Sequence, residues 1–238
     1  MTLPKPDPAI FAWPAQAVVG RVVPKSKIYD HARPTAATRA LFVSQVEQIL
    51  WAYKLAPESI NLPAHPAVPE IEVFEITLKG PELHPAVLRS IDKAIPFPIL
   101  FNLRFGGRTQ AVAAYKRPSE AKSGDWVTGD YFSAGWQPDS APRPPLPIAL
   151  DLRGLYDHLL RAHLELPARS GESLPDQLTR LAAIASQRKE LARLTARLAQ
   201  ERQFNRKVEI NARLRSIRDE LDQLTADAVP AHREPVEP

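Results

Sequence analysis

The chain has 238 residues, of which 44% are hydrophobic and 24% charged, a composition typical of a folded globular protein. Lysine and arginine number 31 against 27 aspartate and glutamate residues, and the resulting net charge of +4 permits a nucleic-acid partner without requiring one. The absence of cysteine excludes disulfides, thiolate metal sites and cysteine nucleophiles. The sequence has no signal-peptide pattern and no apolar run near the roughly 18 residues of a membrane span, so we expect a cytoplasmic protein without membrane contact.

The 25 prolines are unevenly distributed and predict the domain boundaries. They cluster at 1–34, 57–69 and 138–147, whereas residues 176–224 contain neither proline nor glycine. Because proline removes a backbone donor and fixes φ, the clusters predict extended connectors and the proline-free stretch predicts helix. The predicted divisions are a proline-rich extended arm at 1–34, an α/β domain at 35–166, a linker at 167–175, a coiled-coil hairpin at 176–225 and a disordered tail at 226–238.

Helical and strand periodicities alternate in the first part of the predicted α/β domain. Apolar residues recur near helical spacing from Thr35 to Leu55, with Thr35 as the cap and Pro57 just beyond the end, so this segment predicts the first helix. Residues 70–79 alternate between two faces and predict the first strand. Residues 85–94 predict a short helix, and the apolar run PFPILFNLRF after it predicts a central strand.

Two adjacent glycines, Gly106 and Gly107, predict a tight hairpin after the central strand, because glycine adopts positive φ without steric cost. The pattern predicts a return strand near 109–116 and a fourth strand at 126–133, and helical spacing returns at 151–164. This order of elements predicts an α/β (α+β) fold with a mixed sheet of about four strands and helices packed on it.

Two apolar seams predict a C-terminal antiparallel coiled-coil helical hairpin. The first seam contains Leu181, Ile184, Leu191, Leu194 and Leu198, and the second contains Ile210, Leu214, Ile217, Leu221 and Leu224. The seams are out of phase, which favours two helices that reverse direction at 203–206, with Asn205 as the residue best suited to the turn. The alternative is one long helix with a stutter.

The positive charge of the chain is concentrated in the same region. Residues 176–224 carry 11 basic and 7 acidic side chains, an excess that equals the net charge of the whole chain. Phe204 is an apolar side chain among these cations, which predicts a contact with a partner protein or a nucleic-acid backbone. The simpler interpretation of the charges is a solvated helix face. The predicted contact residues are Lys189, Arg193, Arg197, Arg202, Phe204, Arg206 and Lys207.

A weaker catalytic pattern lies on the first strand, where Glu75, Thr77 and Lys79 share one face. Metal-dependent nucleases place carboxylates and a lysine on a strand to hold Mg²⁺ and orient water. The usual acidic-x-Lys spacing is absent, however, and Glu47 in the predicted first helix adds a second carboxylate only if the fold brings it close. The six scattered histidines predict no metal site, and no pattern predicts a cofactor.

Several segments are too long and irregular to be coincidences of composition, and the most specific are WAYKLAPESINL (51–62), DKAIPFPILF (92–101) and QFNRKVEIN (203–211). With VPKSKIY (23–29), VFEITLKG (73–80), YFSAGW (131–136) and LDLRGLYDHLL (150–160), they resemble a bacterial family known as domain of unknown function 4391. The resemblance implies a setting beside restriction-type helicases and DNA methyltransferases in anti-phage defence clusters. It brings no established catalytic residues, and none is transferred.

These patterns together favour a non-catalytic accessory or adaptor subunit of a DNA-handling defence complex. We expect a helicase or DNA methyltransferase subunit as partner, and DNA as a further partner of the basic hairpin. A divergent metal-dependent nuclease centred on Glu75 and Lys79 is the first alternative. A structural protein that self-associates through its coiled coil is the second.

Overall fold

The computed structural model describes residues 10–122 and 124–226. The chain divides into two units, residues 1–165 and residues 166–238. The first nine residues of the predicted N-terminal arm lie outside the described residues, as does the predicted tail beyond Ala226.

The first unit is built on a mixed sheet, in which the described residues form seven strands rather than the expected four. The strands are β1 (Val18–Val22), β2 (Val46–Leu55), β3 (Ile71–Leu78), β4 (Ile99–Phe105), β5 (Arg108–Pro118), β6 (Trp126–Ser133) and β7 (Gln137–Pro138). The first six lie in chain order across the sheet, and β7 pairs with β5. All strand pairs are antiparallel except β3 with β4, which is parallel.

Helices connect and cover the strands of this unit. They are α1 (Lys25–Ala32), α2 (Ala36–Gln45), α3 (Pro57–Ile60), α4 (Pro85–Ala94) and α5 (Leu152–Arg161), with a short 3₁₀ turn at Ala15–Ala17. Helix α4 is the crossover that the parallel pair β3 and β4 requires. The predictions of a strand at 70–79 and a helix at 85–94 are confirmed, as is the hairpin at Gly106 and Gly107, whose φ angles are 57° and 71°.

The main core of the unit lies between α4, the preceding helices and the central strands. Helix α4 buries one face, with Val87 and Ile91 both fully enclosed, because its apolar residues recur at helical spacing. The central strands β3 and β4 contribute Phe74, Ile76 and Phe101 to the same cluster. The core therefore fixes the parallel strands whose ends carry the polar groups described below.

The prediction of one helix from Thr35 to Leu55 is wrong in its second half. Thr35 does cap a helix, since its hydroxyl accepts a hydrogen bond of 3.2 Å from the Thr38 amide, but α2 ends at Gln45 and β2 follows directly. Strand β2 has register shifts between Val46 and Gln48 and between Trp51 and Tyr53. Each shift adds a residue to one strand, so the strand buries every third residue instead of every second. The sequence of a strand with these bulges therefore has a near-helical period.

The expectation of an extended arm up to residue 34 is also wrong over its described part. Residues 18–22 form the edge strand β1, which pairs with β2, and residues 25–32 form α1. Pro24 precedes the first turn of α1, and Arg33 ends the helix with a φ of 49°. Proline is compatible with the start of a helix because its fixed φ matches that position, so the proline cluster did not exclude regular structure.

The second unit contains two helices, α6 (Leu174–Gln200) and α7 (Phe204–Thr225), which pack together. Their shared core contains Leu194, Ile210, Leu214 and Ile217, with Leu191, Leu198 and Leu221 packed against it. The prediction of two helices rather than one long helix is confirmed. The turn lies at 201–203, however, and Asn205 belongs to the first turn of α7.

The position of this turn has a local cause in the side chain of Glu201. Its carboxylate accepts hydrogen bonds of 2.9 Å from the backbone amides of Arg202 and Gln203. These bonds satisfy amides that the break between the helices would otherwise leave without partners. A glycine or asparagine in the left-handed conformation is therefore not needed here.

Candidate functional sites

Most of the predicted contact residues of the second unit lie near the turn between α6 and α7, whereas Lys189 and Arg193 lie farther back along α6. All seven side chains are exposed, and Phe204 is 76% accessible at the start of α7. Val208 lies one helical turn after Phe204 and is 50% accessible, so the two apolar side chains share a helix face. We call this surface the cationic tip and define it as Arg197, Arg202, Phe204, Arg206, Lys207 and Val208.

The cations of this region differ in how far acidic neighbours neutralise them. Arg193 donates two hydrogen bonds of 2.7 Å to the carboxylate of Glu190, so its charge is largely balanced. The carboxylate of Glu201 is held by the amides of Gln203 and Arg202, and these bonds, together with the charges of Arg206 and Arg197, lower its pKa. The described residues provide no ion-pair partner to the remaining predicted cations, which are Lys189, Arg197, Arg202, Arg206 and Lys207.

Val208 was not among the predicted contact residues. Its position four residues after Phe204 was a usable signal, because side chains at i and i+4 are neighbours on a helix. From the sequence alone, however, Val208 could equally well belong to the buried apolar seam that begins at Ile210. The packing of α6 against α7 distinguishes the two residues, since it leaves Ile210 only 7% accessible but does not bury Val208.

Glu75 of the nuclease hypothesis lies on β3 and is bound by a cation. Register pairs Thr77 of β3 with Arg104 of β4, which places the guanidinium 3.4 Å from the Glu75 carboxylate. The same guanidinium lies 3.2 Å from the carboxylate of Asp139. The Thr109 hydroxyl donates a hydrogen bond of 2.5 Å to Asp139, and this bond, followed by Arg104, lowers the pKa of Asp139.

Lys79 does not pair with Glu75. Its ammonium group donates a hydrogen bond of 2.8 Å to the carbonyl of Val43, near the end of α2. In the described residues, no group of three or more histidine, aspartate and glutamate side chains is arranged to hold a metal ion. Arg104 instead lies between the two carboxylates, Glu75 and Asp139, as their shared counter-charge.

Glu47 does come close to this site, because it lies on β2 and not in a helix. It occupies the first bulge of β2, between Val46 and Gln48, opposite the end of β3. Bulges redirect a side chain that would otherwise follow the alternation of the strand. Its side chain lines a cavity of about 700 Å³ together with Thr77, Leu78, Lys79, Arg104, Phe105, Gly106, Gly107 and Asp139.

A smaller cavity of about 330 Å³ adjoins the first and shares Glu47 and Thr77 with it. Its wall includes Lys25 at the start of α1, whose ammonium group donates a hydrogen bond of 2.6 Å to the carbonyl of Val46. Burial lowers the pKa of Lys25, and the charge of Lys79 lowers it further. We call the two cavities together the strand-end groove, since they lie at the carboxyl ends of β3 and β4.

A third polar cluster is buried and was not predicted from the sequence. Lys116 of β5 is 1% accessible, and its ammonium group lies 3.3 Å from the carboxylate of Asp92 on α4. The same group donates to the Asp92 carbonyl at 2.6 Å and to the Ile95 carbonyl, so it caps the end of α4. Tyr131 donates to the other carboxylate oxygen of Asp92. This network ties α4 to the sheet.

The hydroxyl of Tyr156 completes the buried cluster at a bulge in β5. It accepts a hydrogen bond of 2.9 Å from the Lys116 amide and donates one of 2.7 Å to the Ala114 carbonyl. The register of β5 with β6 shifts between these two residues, and the hydroxyl satisfies the backbone groups that the shift leaves unpaired. Gly129 on β6 faces the bulge, where a Cβ atom would lie 3.3 Å from the Tyr115 carbonyl.

These observations define a class of protein: an α+β unit with a mixed sheet, followed by a pair of packed helices whose turn is cationic. Within the described ranges, every helix is too short or too polar to cross a bilayer. The chain belongs to the family described as Domain of unknown function (DUF4391), whose model matches residues 11–221. No curated protein and no solved structure matches the chain.

Proposed function

We propose that the protein is a non-catalytic accessory subunit of a DNA-handling complex in anti-phage defence, and that its cationic tip contacts a partner protein or a nucleic-acid backbone. One observation carries the proposal, namely that Phe204 and Val208 are exposed among tip cations that form no ion pair in the described residues. The Glu201 carboxylate interacts with two of these cations, Arg206 and Arg197, at longer range. The setting implied by the family resemblance, beside helicases and DNA methyltransferases, supports the choice of partners.

The physical argument rests on what each group gains from a contact. Unpaired arginine and lysine side chains bind phosphates and release the counterions condensed on a nucleic acid, which favours association at low salt. An exposed phenylalanine gains from insertion into an apolar pocket of a protein, where aromatic and arginine side chains supply most of the binding energy. The tip offers both kinds of group within the first turns of α7.

The apolar seams are a less favourable contact surface. Leu194, Ile210, Leu214 and Ile217 are all buried where α6 meets α7, so the residues that would drive coiled-coil self-association already pack within one chain. We propose, as the finer description of this pair, that its helices form an antiparallel coiled coil. Such a pair presents its turn, rather than its seam, to partners.

The experiment compares the unmodified full chain with one triple variant and one double variant. The first replaces the tip cations, R202Q/R206Q/K207Q, and the matched control replaces exposed arginines farther along α7, R215Q/R218Q. Binding to a labelled DNA duplex is measured as a function of salt concentration. If the tip binds phosphates, the first variant reduces the slope of log K against log salt by about 3, because each lost contact contributes about 0.9. The control retains the slope.

Purified helicase or methyltransferase subunits from the same gene cluster provide the second arm of the test. F204A is expected to weaken a protein contact at least about tenfold, as for an aromatic residue at the centre of an interface. It leaves phosphate contacts unchanged. A chain that binds neither DNA nor these subunits, or binds them equally well in all variants, contradicts the proposal.

A further inference from the structure

Two lysines of the first unit bind backbone carbonyls near the end of α2, and neither has an acidic partner in the described residues. Lys79 and Lys25 each spend one hydrogen bond on a carbonyl, of Val43 and Val46 respectively. An ammonium group has three donors, so each lysine keeps two. The described residues provide neither lysine with an ion-pair partner, and the charge of Lys79 lowers the pKa of Lys25, so the two groups repel each other. A bound anion would relieve this repulsion.

A third cation lies at the same end of the sheet and is held in a fixed orientation. Arg104 is positioned by Glu75 and Asp139, and its side chain remains 45% accessible. The guanidinium carries five donors in a rigid plane, so contacts with two carboxylates leave some donors unused on a side chain that lines the groove. In open sheets, ligands bind beyond the carboxyl ends of parallel strands, and β3 and β4 end here.

The strand-end groove also contains an acceptor that no other described group uses. Glu47 lines both cavities and has no hydrogen-bond or ion-pair partner in the described residues. Arg104 and the Thr109 hydroxyl already engage Asp139, the other carboxylate that lines the larger cavity. Glu47 therefore adds a free acceptor to a groove that also contains the lysine donors, and this combination suits a ligand that carries phosphate oxygens and also hydroxyl or amino donors. The larger cavity, about 700 Å³, falls in the range of about 300–1,000 Å³ that is usual for small-molecule sites.

We propose that the strand-end groove binds a nucleotide unit, with Lys25, Lys79 and Arg104 on the phosphate and Glu47 on a hydroxyl or amino group of the ligand. The unit comes either from a free nucleotide or from a nucleic-acid strand, since both present the same chemistry. This site lies in the first unit and does not depend on the cationic tip.

The test uses the full-length protein and isothermal titration calorimetry at low salt. Its probes are adenosine monophosphate, inorganic phosphate and a short single-stranded oligodeoxynucleotide. K25Q and K79Q are each expected to weaken binding of the monophosphate about tenfold, the usual effect of losing one charge-assisted hydrogen bond. K27Q is the matched control, because Lys27 lies on the same helix, is exposed and does not line the groove.

Two further variants separate a binding role from a structural one. K79R keeps both the charge and a donor for the Val43 carbonyl, so it is expected to retain binding where K79Q loses it. E47Q is expected to weaken the nucleotide while it leaves inorganic phosphate unchanged or slightly tighter, because it removes a negative charge beside the phosphate. Circular dichroism of each variant confirms that the sheet is folded.

The probes identify the source of the ligand. This comparison is made in the tip variant R202Q/R206Q/K207Q, so that the oligonucleotide does not bind through the cationic tip. Binding of the free nucleotide at least as tight as that of the oligonucleotide indicates a small-molecule site, and tighter binding of the oligonucleotide that K25Q weakens indicates a strand. The tip variant R202Q/R206Q/K207Q retains binding of the monophosphate, whatever its effect on duplex DNA. The inference is overturned if none of the three probes binds, or if K25Q and K79Q bind them as K27Q does.

Discussion

At the scale of single residues, Glu72 is a carboxyl group held in a protonated state by its surroundings. It lies on β3, is 3% accessible and accepts a hydrogen bond of 2.5 Å from the indole of Trp51. Burial, followed by a hydrogen bond with Glu70, raises its pKa to about 8. Glu70 is itself paired with Lys54 at 2.8 Å, so the negative charge stays on Glu70.

The raised pKa of Glu72 gives stability a pH dependence of known sign. The native state keeps a proton that the unfolded state loses near 4.5, so the free energy of unfolding falls as the pH rises from 4.5 to about 8. E72Q removes the titratable carboxyl group and is expected to flatten the pH dependence of the unfolding free energy. Urea titrations at pH 5 and pH 8 measure it, with E82Q at the exposed Glu82, outside this network, as control. An equal decrease in wild type and E72Q contradicts the assignment.

The buried pair of Lys116 and Asp92 makes a second prediction. K116M leaves the Asp92 carboxylate buried without its cation, which is expected to cost about 3 kcal/mol of unfolding free energy. The double variant K116M/D92N removes both charges and is expected to recover part of the loss. Urea unfolding at pH 7 compares them, and a double variant less stable than K116M would show that the pair does not act as a unit.

The contacts of individual side chains also lead to a prediction on the nuclease alternative. Arg104 binds Glu75, and the ammonium group of Lys79 is bound to the Val43 carbonyl. We therefore predict that the purified chain does not cleave plasmid DNA in the presence of Mg²⁺ or Mn²⁺. Cleavage that requires the metal, is lost in E75Q and persists in the control E58Q would contradict this prediction.

At the scale of elements, α6 and α7 are tied together at the end opposite their turn. Arg180 pairs with Glu172 at 2.7 Å and also donates to the carbonyl of Leu224, while Arg169 donates to the carbonyls of Gln223 and Leu224. These arginines satisfy the last carbonyls of α7, which lack partners within the helix. Arg180 is 8% accessible, so its contacts are shielded from solvent.

R180Q is expected to destabilise the helix pair by about 2 kcal/mol, because it removes charge-assisted hydrogen bonds from a largely buried site. The bond from Arg180 also lowers the pKa of Glu172 to about 2, so this stabilisation is present above 4.5 and is lost as the pH falls from 4.5 toward 2. Helical circular dichroism of the full chain against urea measures the effect. K189Q, at an exposed position on the same helix, is the control. Equal stabilities of R180Q and K189Q contradict the role of Arg180.

Elements were predictable from the sequence where their period was undisturbed. Helix α4 and strand β3 have regular patterns that local rules interpret correctly. Strand β2 was mistaken for helix because its bulges bury Val46, Ile49, Ala52 and Leu55, a spacing of three. The bulges depend on pairing with β1 and β3, so information local to the segment could not reveal them.

At the scale of the whole molecule, the chain combines two units with different chemistry. The cationic tip was predictable because it is local in sequence, and its residues lie within a few turns of one break. The strand-end groove was not, because it gathers Lys25, Glu47, Lys79 and Arg104 from four separate elements. Only the sheet order and the parallel pairing of β3 with β4 bring these residues together.

The most direct test of the central claim is a pull-down of the tagged full-length chain from native lysate, with and without nuclease treatment. The claim predicts that a helicase or DNA methyltransferase subunit is captured by the wild type and by R215Q/R218Q, and is lost when R202Q/R206Q/K207Q is combined with F204A. Capture that disappears after nuclease treatment identifies the nucleic acid as the bridge between them. Equal recovery of that subunit by the wild type and the tip variant, or its absence from both, would contradict the claim.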